Sequence, residues 1–215
     1  MQHHLRFVFL VLLLICPFVP NVRASNNGTK TDSLRAVYNS MVVLSKQLSP
    51  LADYAQMRAI YSELPDYSPY GSCVDNVEKA RQEGDLVEAK RLLDECLLKE
   101  WVNLSVHFQA LRVYVSLKDT AQQEYHLKVA QALVGAIQMS GTGRDAETAM
   151  DVLYAGEEYD MLLSYGVEFK MQSLKYVGDS SYDVMQGIDE NGQPVTYWFR
   201  VDKLLGWLRK TMRDK

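Results

Sequence analysis

The spacing of apolar residues in this chain changes at Val167, and that change constrains the fold more than any other feature. Upstream, apolar positions recur every three to four residues, the spacing of amphipathic helices. Downstream they alternate, the spacing of half-buried strands, until a helical stripe returns after Val201. The pattern predicts an α+β fold: a stack of helical hairpins, then a three-stranded antiparallel meander and a closing helix. The expected strands are 167–177, 182–188 and 195–201. Gly178-Asp179 makes the first turn, and Asn191-Gly192 is a strong hairpin signal for the second. Alternation turns Val195, Tyr197, Phe199 and Val201 toward the core, against Leu204, Trp207 and Leu208 of the last helix. Thr196, Trp198 and Arg200 fall on the opposite face.

The helical part divides at its breakers. Residues 25–31 are polar and read as a flexible leader. Helices are expected over 32–48 and 54–64, ended by Pro50 and Pro65, and then over 74–83, 86–98, 103–117 and 120–139. The string ARQEGDLVEAKRLLDECL is similar to the turn of a tetratricopeptide repeat. Asp119 follows Asp85 at that repeat's period of 34 residues, although the other signature positions fit poorly. Gly141 stops the helix before it and is expected at positive φ. Thr142-Gly143-Arg144-Asp145 fits a capping box for a further helix over 145–155, followed by one over 157–165.

Residues 1–24 read as a secretory signal: Arg6, an apolar run over 7–19, and Val22-Arg23-Ala24 as the cleavage pattern. The alternatives are an uncleaved anchor, or lipid attachment at Cys16, which the bulk of Ile15 disfavours. Of 215 residues, cleavage leaves 191, with 21 basic against 27 acidic side chains and a net charge of about −6. The expected organisation is a leader and N-terminal helix over 25–50 and one α+β domain over 51–215, helical to 166. No second apolar run is long enough to span a bilayer after cleavage, so the expected location is secreted or periplasmic, in a bacterial envelope. No basic run interleaved with aromatics appears, which argues against a nucleic-acid partner. Cys73 and Cys96 remain. In an exported protein they can form a disulfide closing 23 residues, worth roughly 3 kcal/mol from loop-closure entropy. The alternative is two free thiols, since Cys96 lies on the apolar stripe of its helix.

Few residues offer chemistry. His107 and His126 fall on neighbouring antiparallel helices at heights that differ by roughly 7–8 Å. With Glu157 or Glu158 they could complete a catalytic or metal-assisted hydrolytic site. No HExxH, CxxC or HxH spacing supports a metal, and no cofactor is expected. Adjacent Glu157 and Glu158 point about 100° apart on a helix, so they do not form a facing pair. At a helix start they complement its dipole. The SGTGRD turn lacks the lysine and spacing of a phosphate loop. Tyr67 and Tyr70, either side of Pro69, either line a binding site or wedge their loop onto the core with hydroxyls in water. The Trp198–Arg200 face is a candidate contact for a protein partner.

The stretch SGTGRDAETAMDVLYAGEEYDMLLSYG over Ser140–Gly166 resembles the bacterial domain-of-unknown-function 4919 family. Members carry a similar SGxG turn, an EEY cluster with a following Gln-Leu, and a tyrosine–proline–tyrosine turn after a short helix. The resemblance covers about 54–202 and is most specific over 140–174. It implies a fold but no activity. Where the family turn usually has Asp this chain has Thr142, which argues against an essential acid there. Two functional classes follow: a non-catalytic exported protein that binds an unidentified protein partner, or a hydrolase using His107, His126 and Glu157 or Glu158.

Overall fold

The computed structural model describes residues 26–71 and 73–213. The expected signal peptide and Cys16 lie outside these residues. The fold is α+β. Helices α1 (Asn26–Lys46) and α2 (Tyr54–Tyr61) lead into two hairpins, α3 (Cys73–Gln82) with α4 (Leu86–Lys99) and α5 (Leu104–Leu117) with α6 (Thr120–Gln138). Then come β1 (Met150–Asp151), α7 (Glu157–Ser164), β2 (Glu168–Val177), β3 (Ser180–Ile188), β4 (Pro194–Arg200) and α8 (Asp202–Arg213).

The hairpins follow from their caps. Asp85 accepts from the Glu88 N–H (3.0 Å) and Asp119 from the Gln122 N–H (3.0 Å), so each second helix begins at its aspartate. Lys118 takes the left-handed conformation that closes α5. Cys73 at the start of α3 is disulfide-bonded to Cys96 near the end of α4, across a Cα–Cα distance of 5.8 Å. The two thiols are therefore joined rather than free. Under the hairpins Val77, Ala89, Leu93, Val106 and Val113 form a fully buried cluster. A second, larger cluster joins the remaining helices to the sheet, with Met57, Leu104, Leu133, Met185 and Phe199 wholly excluded from solvent. Each such side chain contributes about 1.5–3 kcal/mol of hydrophobic stabilisation. The α1 helix packs on α2 through Tyr38 and Tyr61, whose rings lie 5.5 Å apart. Phe199 and Val201 face the core as alternation requires, and Leu204 of α8 is buried beside them. Among the described residues no helix is long and apolar enough to cross a membrane.

Several expectations are corrected. The sheet has four strands, in the order β1-β4-β3-β2, because the segment expected as a helix over 145–155 supplies one of them. Asp145 does not cap a helix. Its carboxylate accepts from the Thr148 backbone N–H and hydroxyl (2.9 and 2.8 Å), which closes a local turn. Met150 and Asp151 then pair in parallel with Phe199 and Arg200 of β4. Free backbone groups at a strand edge win over a weak helical stripe. The polar stretch expected as leader is helical from Asn26, and α2 stops at Tyr61, the chain to Leu64 continuing as hydrogen-bonded turns. Gly143, not Gly141, has positive φ (+71°). The Gly143 N–H donates to the Thr148 carbonyl (2.7 Å) and its own carbonyl accepts from the Trp198 N–H (2.8 Å), so the glycine turn is tied into the sheet.

Gly141 is constrained by space instead. A Cβ there would stand 2.3 Å from the Thr148 carbonyl oxygen and 2.5 Å from that of Ala149, both backbone atoms. Gly141→Ala should lower the unfolding free energy by about 1–3 kcal/mol, the usual range for overpacking. A denaturant midpoint equal to wild type would show that the turn relaxes freely.

Candidate functional site

The apolar stripe of α2 carries one charge. Arg58 is buried with Met57 and Tyr61, and a guanidinium in such a place needs an anion. Glu157, first residue of α7, supplies it: Arg58 Nη1 donates to Oε1 (2.5 Å) and Nη2 to Oε2 (2.9 Å), with side-chain exposures of 6% and 0%. Glu157 Oε2 also accepts from the Leu153 and Tyr154 N–H groups (2.7 and 3.4 Å), and Arg58 Nη2 donates to the Asp151 carbonyl (3.3 Å). Glu157 is thus fully engaged in holding α2, the loop after β1 and α7 together.

Glu158 diverges from its neighbour, as the helical angle requires. It is 1% exposed, and its Oε2 has no partner among the described residues. Burial, reinforced by Asp183, Glu157 and Asp160, pushes its pKa well above the ordinary carboxylate range. Beside it the Tyr159 hydroxyl donates to Gln172 Oε1 (2.7 Å), and Gln172 Nε2 donates to Asp183 (2.7 Å), linking α7 to β2 and β3.

His107 and His126 meet. Their Nδ1 atoms are 3.1 Å apart, and His107 Nε2 is 2.8 Å from the Trp101 carbonyl. The height difference counted along the two axes overstated the separation, because imidazoles reach several ångströms from their backbones and together close the gap. The carbonyl only accepts, so His107 carries its proton on Nε2, and His126 Nδ1–H donates to His107 Nδ1. Burial lowers the pKa of His107 to about 3 and that of His126 to about 4, which keeps both neutral. Tyr114 stacks on His126 at 5.5 Å. The pair is a buried polar link between α5 and α6, and among the described residues no group of three or more His, Cys, Asp or Glu is arranged to hold a metal.

The open site lies elsewhere, between the tyrosine–proline–tyrosine turn, α3, α5 and α7. It is a cleft of ≈ 510 Å³ lined by Tyr70, Asn103, Ser105, Gln109, Arg112 and Asp160, among others. The Ser105 hydroxyl donates to Asp160. Burial raises the Asp160 pKa to about 6, against the Ser105 hydrogen bond and the Arg112 charge, which both lower it. With its amide oriented to satisfy both ends, Gln109 accepts from Arg112 and donates to Glu78, each at 3.0 Å. An apolar groove, also ≈ 510 Å³, lies between Leu111, Leu127, Val134 and Leu163 and shares Phe108 and Arg112 with the cleft.

The proposed tyrosines part company. Tyr70 is 49% exposed, lines the cleft and packs edge-on against Trp207 at 5.8 Å. Tyr67 is buried, and its hydroxyl is not in water but donates to the Leu153 carbonyl (2.7 Å). Trp198 and Arg200 are half-buried and line neither cleft nor groove. Trp198 sits edge-on to Tyr182 at 5.9 Å, with Lys175 Nζ 5.1 Å from its ring. Arg200 pairs with Asp151 at 3.1 Å. His107, His126, Glu157 and Glu158 also stay outside both hollows. Sequence reasoning missed Arg58, although a lone cation four residues after Tyr54 on an apolar stripe was a readable signal. It also missed Ser105, Phe108, Arg112 and Asp160, which only the tertiary fold brings together.

A family model described as a domain of unknown function, DUF4919, matches residues 45–210. The chain belongs to the DUF4919 family. No curated protein and no solved structure matches it. The DUF4919 region contains the whole sheet, both hairpins, the Arg58–Glu157 pair and the cleft with its groove.

Arg58→Met leaves a buried carboxylate without its counter-charge and should cost about 3–5 kcal/mol. Adding Glu157→Gln removes that charge but keeps an acceptor for the Leu153 N–H, so the double variant should recover much of the loss in chemical denaturation. Asp160→Asn gives a second, pH-resolved test. A carboxyl whose folded pKa is raised lowers stability as pH climbs from its unfolded value toward about 6. The neutral variant should therefore melt higher than wild type at pH 7.5, with the gain shrinking toward pH 4. A gain independent of pH would refute this account of Asp160.

Proposed function

We propose that this protein is an exported, non-catalytic binding module of the bacterial envelope that holds a segment of a partner protein in the furrow formed by the cleft and the groove. The observation that carries this reading is Asp160: a half-buried carboxylate in a place that disfavours its charge, at the edge of a hollow where Tyr70, Arg112 and an apolar wall converge. Natural proteins tolerate such destabilising groups where function uses them. The furrow offers a partner segment apolar contact along Leu111, Leu127 and Leu163, and polar partners at Asn103, Gln109 and Arg112. The Cys73–Cys96 bond supports residence in an oxidising compartment. The hydrolase reading is weakened because His107, His126 and Glu157 are engaged with other groups in the core and none reaches the furrow.

Photo-crosslinking in the native envelope tests this. A crosslinking residue at Tyr70 and one at Leu163 should give the same discrete adduct, and Arg112→Glu should abolish both. Val87, 84% exposed on α4, is the control position. Equal adducts at Val87, or adducts indifferent to Arg112→Glu, would remove the furrow as the binding surface.

A further inference from the structure

The β2 strand is the outer strand of the sheet, bonded to β3 on one side, with no strand on its other edge among the described residues. All ten of its residues are exposed except half-buried Ser173. Phe169, Met171, Leu174, Tyr176 and Val177 are between 39% and 69% exposed. Long apolar edges are ordinarily shielded by proline, by a covering element or by strand brevity. Here α7 touches only the first half, through Tyr159 against Phe169 and Gln172. The other shields are Lys175 and the register shift between Phe169 and Met171, which leaves Lys170 unpaired.

We propose that β2 pairs antiparallel with β2 of a second copy of this chain, about a two-fold axis through Leu174, so that two four-stranded sheets become one. Residues opposed across a two-fold normal to a sheet share a face, so one residue must sit on the axis, and charge selects it. Placing Lys175 there sets two ammonium groups directly opposite, which is repulsive. Placing Ser173 there opposes Met171 to Lys175. With Leu174 on the axis, leucine meets leucine, Met171 meets Val177, Gln172 meets Tyr176 and Ser173 meets Lys175. No like charges face one another. Lys170 comes beside Asp179 of the second copy, and Glu168, Lys170, Lys175 and Asp179 sum to no net charge. That self-complementarity points to a copy of the same strand, rather than an unrelated peptide, as the occupant. The furrow between α5, α6 and α7 plays no part in this pairing, so the two readings stand or fall separately.

Sedimentation velocity of the purified protein should show a concentration-dependent monomer–dimer equilibrium. Leu174→Lys should abolish the dimer while leaving the melting temperature unchanged at concentrations where the wild type is monomeric, since the residue is 46% exposed. Leu174→Cys should form a disulfide-linked dimer on mild oxidation, because opposed Cα atoms in antiparallel strands lie within bridging distance. Met212→Cys, exposed on α8, should not. A monomer at every concentration reached overturns the proposal. So does a dimer that survives Leu174→Lys, a failure of Leu174→Cys to cross-link above the Met212→Cys control, or a monomer that instead captures an extended peptide along β2.

Discussion

The buried pair of Arg58 and Glu157 is the constraint on which the rest of this fold is arranged. Removing two charges from water is expensive, and close pairing alone rarely recovers the loss. Here the carboxylate accepts four N–H groups, two from the guanidinium and two from the backbone at Leu153 and Tyr154, and Arg58 also reaches the Asp151 carbonyl. The geometry works only if α2, the end of β1 and the start of α7 hold fixed positions together. Once α7 is fixed, Tyr159 faces Gln172 of the sheet and Asp160 faces Ser105 of α5. The core anchor and the edge of the open cleft are set by the same eight-residue helix.

That helix gives three acids three environments. Glu157 meets a guanidinium. Glu158 meets mostly apolar surroundings and other acids, which push its pKa well up. Asp160 meets a hydroxyl at the wall of an open hollow, where burial raises its pKa to about 6. Proximity in sequence therefore says little about charge state. The surroundings contributed by α2, α5 and β3 decide it.

Much of the architecture was legible because its causes are local. Asp85 and Asp119 announce the second helices of their hairpins, and alternation from Val195 to Val201 identifies which face of β4 is buried. The segment 145–155 was misread because its apolar spacing fits a helix, whereas the competing interaction is a strand edge that arrives 49 residues later, where Arg200 meets Asp151. The cleft was illegible for the same reason: Ser105 and Asp160 are 55 residues apart, with no motif joining them. The histidines were named, but counting rise per residue without side-chain reach placed them too far apart. Arg58 was within reach of sequence reasoning, as a cation where the helical stripe demanded an apolar residue.

The parallel pairing of β1 with β4 also fixes an order of events. Helical hairpins make contacts close in sequence and can form as soon as each emerges, whereas β1 gains a partner only when β4 exists. A chain delivered from its N-terminus would present a hairpin stack first, with the Arg58 cation waiting 99 residues for its carboxylate. Until then the inner faces of α2 and α6 have no sheet against them, and the edge left by β1 is open. The vulnerable interval in the life of this molecule is therefore set by how quickly its last fifty residues follow the rest, and a chaperone that shields it would need to recognise the helical half alone.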